Sequence, residues 1–183
     1  MSFQNNTATH YSLISIILHW FMVIQIIAVY ACILLRDLFP KESAAHEMLK
    51  SSHFMLGLSI LVVVSLRLIA RLLGSAPDIE PVPPKWQKLS AKFLHVSLYV
   101  LMVFMPLLGW TLLSAEGKPI PFFWTQLPAI IGENKDLADL IKEIHETGGT
   151  IGYLIIGLHA AAALFHHYIF RDNTLIRMLP GRH

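Results

Sequence analysis

Four long runs of apolar residues, separated by short polar connectors, dominate the 183-residue chain. A helix needs about 20 mostly apolar residues to cross the hydrocarbon core of a bilayer, and each run meets that length. A chain this short could not cover four helices that lack a polar face, so the pattern predicts an all-α membrane protein with a bundle of four transmembrane helices. The predicted spans, within a single domain of residues 1–183, are about 13–35, 51–73, 93–115 and 144–170.

The composition supports a membrane protein and excludes several other classes. Hydrophobic residues make up 55% of the chain and charged residues 14%, against roughly a quarter charged in soluble domains. Disorder, a disulfide scaffold and nucleic-acid binding all fit poorly. The single cysteine, Cys32, excludes an internal disulfide, a cysteine-based zinc site and the C-x-x-C-H attachment of a c-type haem.

Two connectors have a distinctive composition. Ala76–Trp86 contains four prolines, which predicts an extended strap and not a fifth helix. Gly117–Asp139 contains three prolines and the aromatic run Phe122–Trp124, which predicts an interfacial loop that rests on lipid headgroups.

The basic residues predict the orientation of the chain. Eight of the 14 Lys and Arg residues lie near the second connector and the tail, whereas the first and third connectors hold six of them and nine of the 12 acidic residues. Basic residues favour the cytoplasmic side of a membrane. Both termini are therefore predicted to be cytoplasmic.

Five of the ten histidines lie within or beside the predicted spans: His19, His53, His95, His145 and His159. Ionisable side chains are rare inside membranes and are functional candidates by default. His145 and His159 lie 14 residues apart, so they point to nearly the same face of the fourth helix at depths that differ by about 21 Å. The topology puts His53 level with His145 on the outer side and His19 level with His159 on the inner side.

Two imidazoles that face each other at each of two depths predict a bundle that encloses two bis-histidine b-type haems. Small residues near the ligands agree, because a macrocycle that lies flat against a helix needs room one turn from its ligand. Gly57 follows His53 by four residues, Gly149 follows His145 by four, and Ala160–Ala163 follow His159. Ordinary close packing of helices would also explain such glycines, and this alternative stays open.

Four other side chains have two interpretations each. Arg67 and Arg71 would pair with propionates of the inner haem, or would extend to the membrane interface. His95 could compete with His19 for the inner iron, although a supporting or interfacial role is favoured. His166, one heptad after His159, would bind a propionate or a quinone oxygen, or would lie at headgroup level.

The segments that contain these residues resemble a known family. They are Ser15–Trp20, His53–Gly57 with Arg67 and Leu68, Ile144–Thr147, Gly152–Ala160, His166–Tyr168 and Asp172–Leu175. They resemble the bacterial cytochrome b561 proteins, which are four-helix di-haem membrane cytochromes that exchange electrons with quinone. The resemblance implies haem ligands at His19, His53, His145 and His159, none from the third helix, and a location in the bacterial inner membrane.

The resemblance also implies a function. Some members are superoxide oxidases, so the expected activity is transfer of electrons from a periplasmic donor such as superoxide to ubiquinone. We expect the quinone in the inner half of the bundle, near Trp20, Arg71 and His166. The expected partners are membrane lipid, quinone and superoxide, without nucleic acid, and the oligomeric state stays open. The alternatives are a cytochrome subunit of a larger dehydrogenase or hydrogenase, and a proton-coupled transporter that uses the histidines as a relay.

Overall fold

The fold is a bundle of four long helices. A computed structural model describes residues 10–180. Within that range, all four helices are long and apolar enough to cross a membrane, which confirms the predicted fold class. The helices are α1 (Leu13–Arg36), α2 (Ala44–Leu73), α3 (Lys85–Ala115) and α4 (Lys135–Phe165), and the last of these continues into a π-helical turn at His166–Phe170.

Three of the helices begin at a polar side chain that caps their first turn. Ser12, Ser43 and Asn134 each accept a hydrogen bond from the backbone N–H three residues later, which satisfies a group that the helix leaves unpaired. The caps at Ser43 and Asn134 start α2 and α4 earlier than the apolar runs from which the spans were predicted. The strap forms no fifth helix, as predicted, although α3 already begins at its last two residues, Lys85 and Trp86.

The helices pack mainly as two pairs, α1 with α2 and α3 with α4, and α2 also packs against α3. A small cluster of buried side chains joins the first pair to α3: Met22, Ile60, Val63, Val64 and Met102. Many other large apolar side chains are exposed, for example Leu72 and Leu73 at 82% and 85%. Such a surface suits a protein with lipid as its outer solvent.

A β-hairpin, absent from the sequence prediction, covers part of the end of the bundle that is predicted to face outward and is called the outer end below. Strands β1 (Ile120–Phe122) and β2 (Thr125–Leu127) pair in antiparallel fashion. Ile120 is buried against α2 and α3, whereas Trp124 at the turn is 94% exposed. The exposed aromatic tip is compatible with the predicted interfacial loop, which stays a prediction.

The chain after α4 forms a clasp, residues 171–180, across the inner end of the bundle. The backbone N–H of Asn173 donates to the carbonyl oxygen of Glu80 in the strap. Its side chain accepts from the backbone N–H of Glu80 and donates to the carbonyl oxygen of Asp78. The buried Arg177 donates to the carbonyl oxygen of Pro77 and lies over the ring of Tyr11. The clasp thereby joins the start of α1, the strap and the end of α4.

Candidate functional site

The outer histidine pair lies where the sequence places it. His53 on α2 and His145 on α4 face each other with ring centroids 6.3 Å apart and ring planes at 77°. The Nδ1 atom of His53 lies 3.0 Å from the carbonyl oxygen of Val29. Because a carbonyl can only accept, Nδ1 must carry the proton, and Nε2 is left with a free electron pair for a metal.

The inner pair repeats this geometry. His19 on α1 and His159 on α4 have ring centroids 6.2 Å apart and ring planes at 77°. The two pairs thus share α4, and their other members come from α1 and α2. One bundle therefore presents the same arrangement of two imidazoles at two depths.

Both separations fit a metal ion that binds one imidazole on each side. A metal–imidazole bond is about 2 Å long, so the two ligating nitrogens would lie about 4 Å apart and the ring centroids about 6 Å apart. Within residues 10–180, no group of three or more His, Cys, Asp or Glu is arranged to hold a metal ion. Two imidazoles on opposite sides of one point are the axial ligand set of a bis-histidine haem, and the spacing of each pair suits that set.

Some of the small residues near the ligands leave room for a haem, and others serve close packing between helices. An added Cβ at Gly57 would meet nothing within 4 Å, and Gly57 and Gly149 line an outer cavity of about 600 Å³ that also contains both outer histidines. Gly148 and Gly152, by contrast, make room for side chains from Met105 and Tyr30. The cavity glycines suit a flat ligand, and the other two belong to close helix packing.

A second cavity, also of about 600 Å³, lies at the inner end of α1 and α2. Arg67, Arg71, Tyr99 and Met178 are among its lining residues. Arg67 also donates to the carbonyl oxygen of Ser15 at 3.4 Å, and the Arg71 guanidinium lies 5.9 Å from the centre of the Tyr99 ring. Two guanidinium groups beside one cavity favour a ligand with carboxylate or carbonyl oxygens.

Trp20 and His166 are held by the clasp and line neither cavity. The indole N–H of Trp20 donates to the carbonyl oxygen of Met178 at 2.7 Å. His166 pairs with the buried carboxylate of Asp172. Burial alone would raise the pKa of Asp172, but hydrogen bonds from His166 and Thr174 outweigh burial and lower it. Both side chains therefore connect the clasp to the bundle.

His95 lies closer to the inner pair than a purely interfacial role requires. Its ring centroid is 5.4 Å from that of His159, with the ring planes at 69°. The separation is shorter than the 6.2 Å between His19 and His159, and His95 belongs to a third helix beside the same ligand. The structure thus groups three histidines at the inner depth.

The mouth of the outer cavity is charged. Its lining includes four basic side chains, Arg36, Lys50, Lys118 and Lys142, with the carboxylates of Glu116 and Glu146. Each of the four also lies within 4.0 Å of a carboxylate, and the pairs are Arg36–Asp37, Lys50–Glu47, Lys118–Glu116 and Lys142–Glu146. The basic groups can attract a small anion, and their acidic partners partly offset that attraction.

The four apolar helices and the paired histidines are those of a multi-pass membrane cytochrome of the b type. Comparison with known proteins agrees: the family described as prokaryotic cytochrome b561 matches residues 10–181. The chain belongs to this family of bacterial membrane proteins, which implies b-type haem.

Individual relatives cover nearly the whole chain. Cytochrome b561 homolog 1 of Escherichia coli K12 is 40% identical over 172 residues, which is 94% of this chain and 98% of the relative. A Yersinia pestis protein named probable superoxide oxidase CybB is 35% identical over 172 residues, 94% of this chain and 97% of the relative. Cytochrome b562 of Cereibacter sphaeroides is 28% identical over 130 residues, 71% of this chain and 67% of the relative.

Proposed function

We propose that this protein transfers electrons across the bacterial inner membrane, from a donor at the outer face to ubiquinone. His53 and His145 would hold an outer b-type haem, and His19 and His159 an inner one. The observation that carries the proposal is the repetition of one histidine geometry, at 6.3 Å and 6.2 Å, at two depths of one bundle. Bound haem would supply one-electron chemistry, while the protein supplies ligands, orientation and access.

Superoxide is the proposed donor at the outer mouth. It is a small anion, and the four basic side chains that line the outer cavity would attract it, while their carboxylate partners limit that attraction. A relative that is 35% identical carries the name probable superoxide oxidase, which supports the same donor. In this proposal the enzyme is a superoxide:ubiquinone oxidoreductase. The lysines of the mouth attract superoxide to the outer haem and take no part in the electron transfer itself.

The inner cavity is the proposed site for the quinone headgroup and the inner propionates. Arg67 and Arg71 line it, and both can donate hydrogen bonds to carbonyl or carboxylate oxygens. Trp20 would act through the clasp, because Met178 both accepts from Trp20 and lines the cavity, and His166 would act through its pair with Asp172 of the clasp. The basic second connector and tail support placing this end, with both termini, in the cytoplasm.

Of the two competing functions, the transporter receives less support, and the subunit role needs a partner chain. Transporter sites are commonly built from broken helices, whereas α1, α2, α3 and α4 each run as one helix, and Pro106 is the one proline within them. A cytochrome subunit of a larger dehydrogenase would use the same histidines. A second chain that copurifies in fixed ratio would identify that role.

The haem content is the first test of the proposal. We expect the detergent-purified protein to give a low-spin b-type spectrum when oxidised and when reduced with dithionite, with about two haems per chain, because each histidine pair completes one coordination sphere. Pyridine haemochrome quantification against amino-acid analysis provides the ratio. A folded preparation without haem would contradict the proposal, and one haem per chain would show that one pair is misassigned.

The mouth lysines provide a second test. Replacing Lys118 and Lys142 together with glutamine removes the basic partners of Glu116 and Glu146, while Arg36 and Lys50 keep their own carboxylate partners. We expect the rate of ubiquinone reduction by enzymatically generated superoxide to fall about tenfold at low ionic strength, because the attraction that steers the anion is lost. The measurement is quinone reduction in nanodiscs over a range of salt concentrations.

The matched control replaces Lys85 and Lys88, which are exposed at the start of α3 at the other end of the bundle. This variant should keep the original rate and its salt dependence. Equal rates for both double variants, or a rate that does not change with salt, would contradict superoxide as the steered donor. Quinone reduction would then need another donor at the outer face.

A further inference from the structure

Residues of α1 contact the surroundings of the outer histidine pair, although neither histidine lies on α1. We propose that Tyr30 is a positioning residue for the outer haem, and that it fixes the separation of His53 and His145 from this third helix. The inference rests on the proposed assignment of these two histidines as ligands. It goes further by assigning a role to a side chain that is neither a ligand nor a donor of electrons.

Two adjacent residues of α1 contact the surroundings of both ligands. The carbonyl oxygen of Val29 accepts a hydrogen bond from Nδ1 of His53 at 3.0 Å. The hydroxyl of Tyr30 donates to the carbonyl oxygen of Gly149 at 2.8 Å, one turn along α4 from His145. One short segment of α1 is thereby tied to α2 at one ligand and to α4 beside the other.

The contact between Tyr30 and α4 depends on a notch in that helix. An added Cβ at Gly152 would collide with the Tyr30 hydroxyl, so glycine at this position makes room for the tyrosine. The ring of Tyr153 packs against the Tyr30 ring at 4.4 Å between centroids. The hydroxyl therefore has a defined position, and its hydrogen bond has a defined direction.

The packing of the bundle explains why this bond controls the ligand separation. α1 packs mainly against α2, and α4 mainly against α3, while the outer cavity lies between the two pairs. Among the described residues, the bond from Tyr30 to Gly149 is the one hydrogen bond that joins α1 to α4. Without it, the helix that contains His145 can shift relative to the helix that contains His53.

The opposite side of His145 is already limited by α3. An added Cβ at Gly109 would lie 3.4 Å from Cε1 of His145, so the imidazole packs close to the backbone of that helix. The imidazole of His145 thus lies against the backbone of α3, and the helix that contains it is bonded to α1 at Gly149. Its distance from His53 follows from these two contacts together.

The test is Tyr30→Phe, which removes the hydroxyl and keeps the ring. We expect this variant to retain about two haems per chain but to change the low-spin electron paramagnetic resonance signal and the reduction potential of one haem only, the outer one. The outer signal is identified as the one lost in His53→Ala. A purely structural role would lower thermal stability without changing the signal of a single haem.

Tyr168→Phe is the matched control, because it removes a hydroxyl from an exposed tyrosine that lines neither cavity and leaves the bond from Tyr30 to Gly149 in place. A second variant, Gly152→Ala, should displace Tyr30 and reproduce the altered outer signal. Its control is Gly157→Ala, where an added Cβ meets nothing within 4 Å. Both controls should have the signals of the unmodified protein.

The outcomes separate this inference from the proposed function. If the unmodified protein lacks two bis-histidine haems, the proposed function fails and the inference fails with it. If it contains both, and Tyr30→Phe and Gly152→Ala leave the outer signal unchanged, the inference alone is overturned. Equal changes at both haems would also overturn it, because they would indicate a general loosening of the bundle.

Discussion

Replacing His159 with alanine is expected to reduce the haem content from about two haems to about one per chain, while the protein stays inserted in the membrane. His159 faces His19 at 6.2 Å between ring centroids, so its loss leaves the inner iron with one axial histidine. Insertion depends on the apolar surface of the four helices, which this substitution does not change. The measurement is haem per chain in the membrane fraction and after purification.

His167→Ala is the matched control, because His167 lies in the π-helical turn that follows α4, beyond the inner pair, and packs against the ring of Tyr168. It should keep both haems. Retention of both haems by His159→Ala would refute the inner pair. His95, whose ring lies 5.4 Å from that of His159, would then be the first residue to test as a ligand, by combining His95→Ala with His159→Ala.

The four helices could be predicted because the insertion of a segment into a bilayer depends mainly on its length and apolar composition, and much less on how its side chains pack. A run of about 20 apolar residues has few alternatives to a spanning helix, and all four were found. Their ends were less predictable. A hydropathy pattern places the end of a helix where polar residues begin. However, α2 starts at Ala44, seven residues before the predicted span, because Ser43 caps it.

The histidine pairs could be predicted because helix geometry converts sequence spacing into depth and direction. The 14 residues between His145 and His159 fix both quantities on one helix, and the orientation of the chain then selects the partners. The proximity of His95 to His159 was harder to predict, because it depends on how far α3 is rotated towards α4. Rotation about a helix axis follows from packing against neighbours and not from hydropathy.

Contacts between distant parts of the chain decide what each glycine beside His145 does. Gly148, Gly149 and Gly152 form one stripe in the sequence, yet Gly149 lines a cavity while the other two receive side chains from other helices. The position of Gly149 four residues after His145 favours the cavity, but the sequence leaves close helix packing open. The clasp could not be predicted for the same reason, since Arg177 is buried by a contact with Pro77, 100 residues away.

Replacing Gly57 with leucine is expected to remove the outer haem and leave the inner one in place. Gly57 lies one turn from His53, lines the outer cavity, and would meet nothing within 4 Å if it carried a Cβ. A leucine side chain there would occupy space proposed for the macrocycle, although both outer histidines remain. Since leucine favours both helix and membrane, the helix itself should persist.

The matched control is Gly157→Leu, because Gly157 is also a helical glycine with open space around it, but it is exposed and lines neither cavity. We expect about one haem per chain in Gly57→Leu and about two in Gly157→Leu, by haem quantification on equally folded material. Two haems in both variants would mean that no macrocycle lies against α2 at Gly57. The outer haem would then need another orientation between His53 and His145. A bulky side chain is the direct test, because it fills the open space beside the ligand.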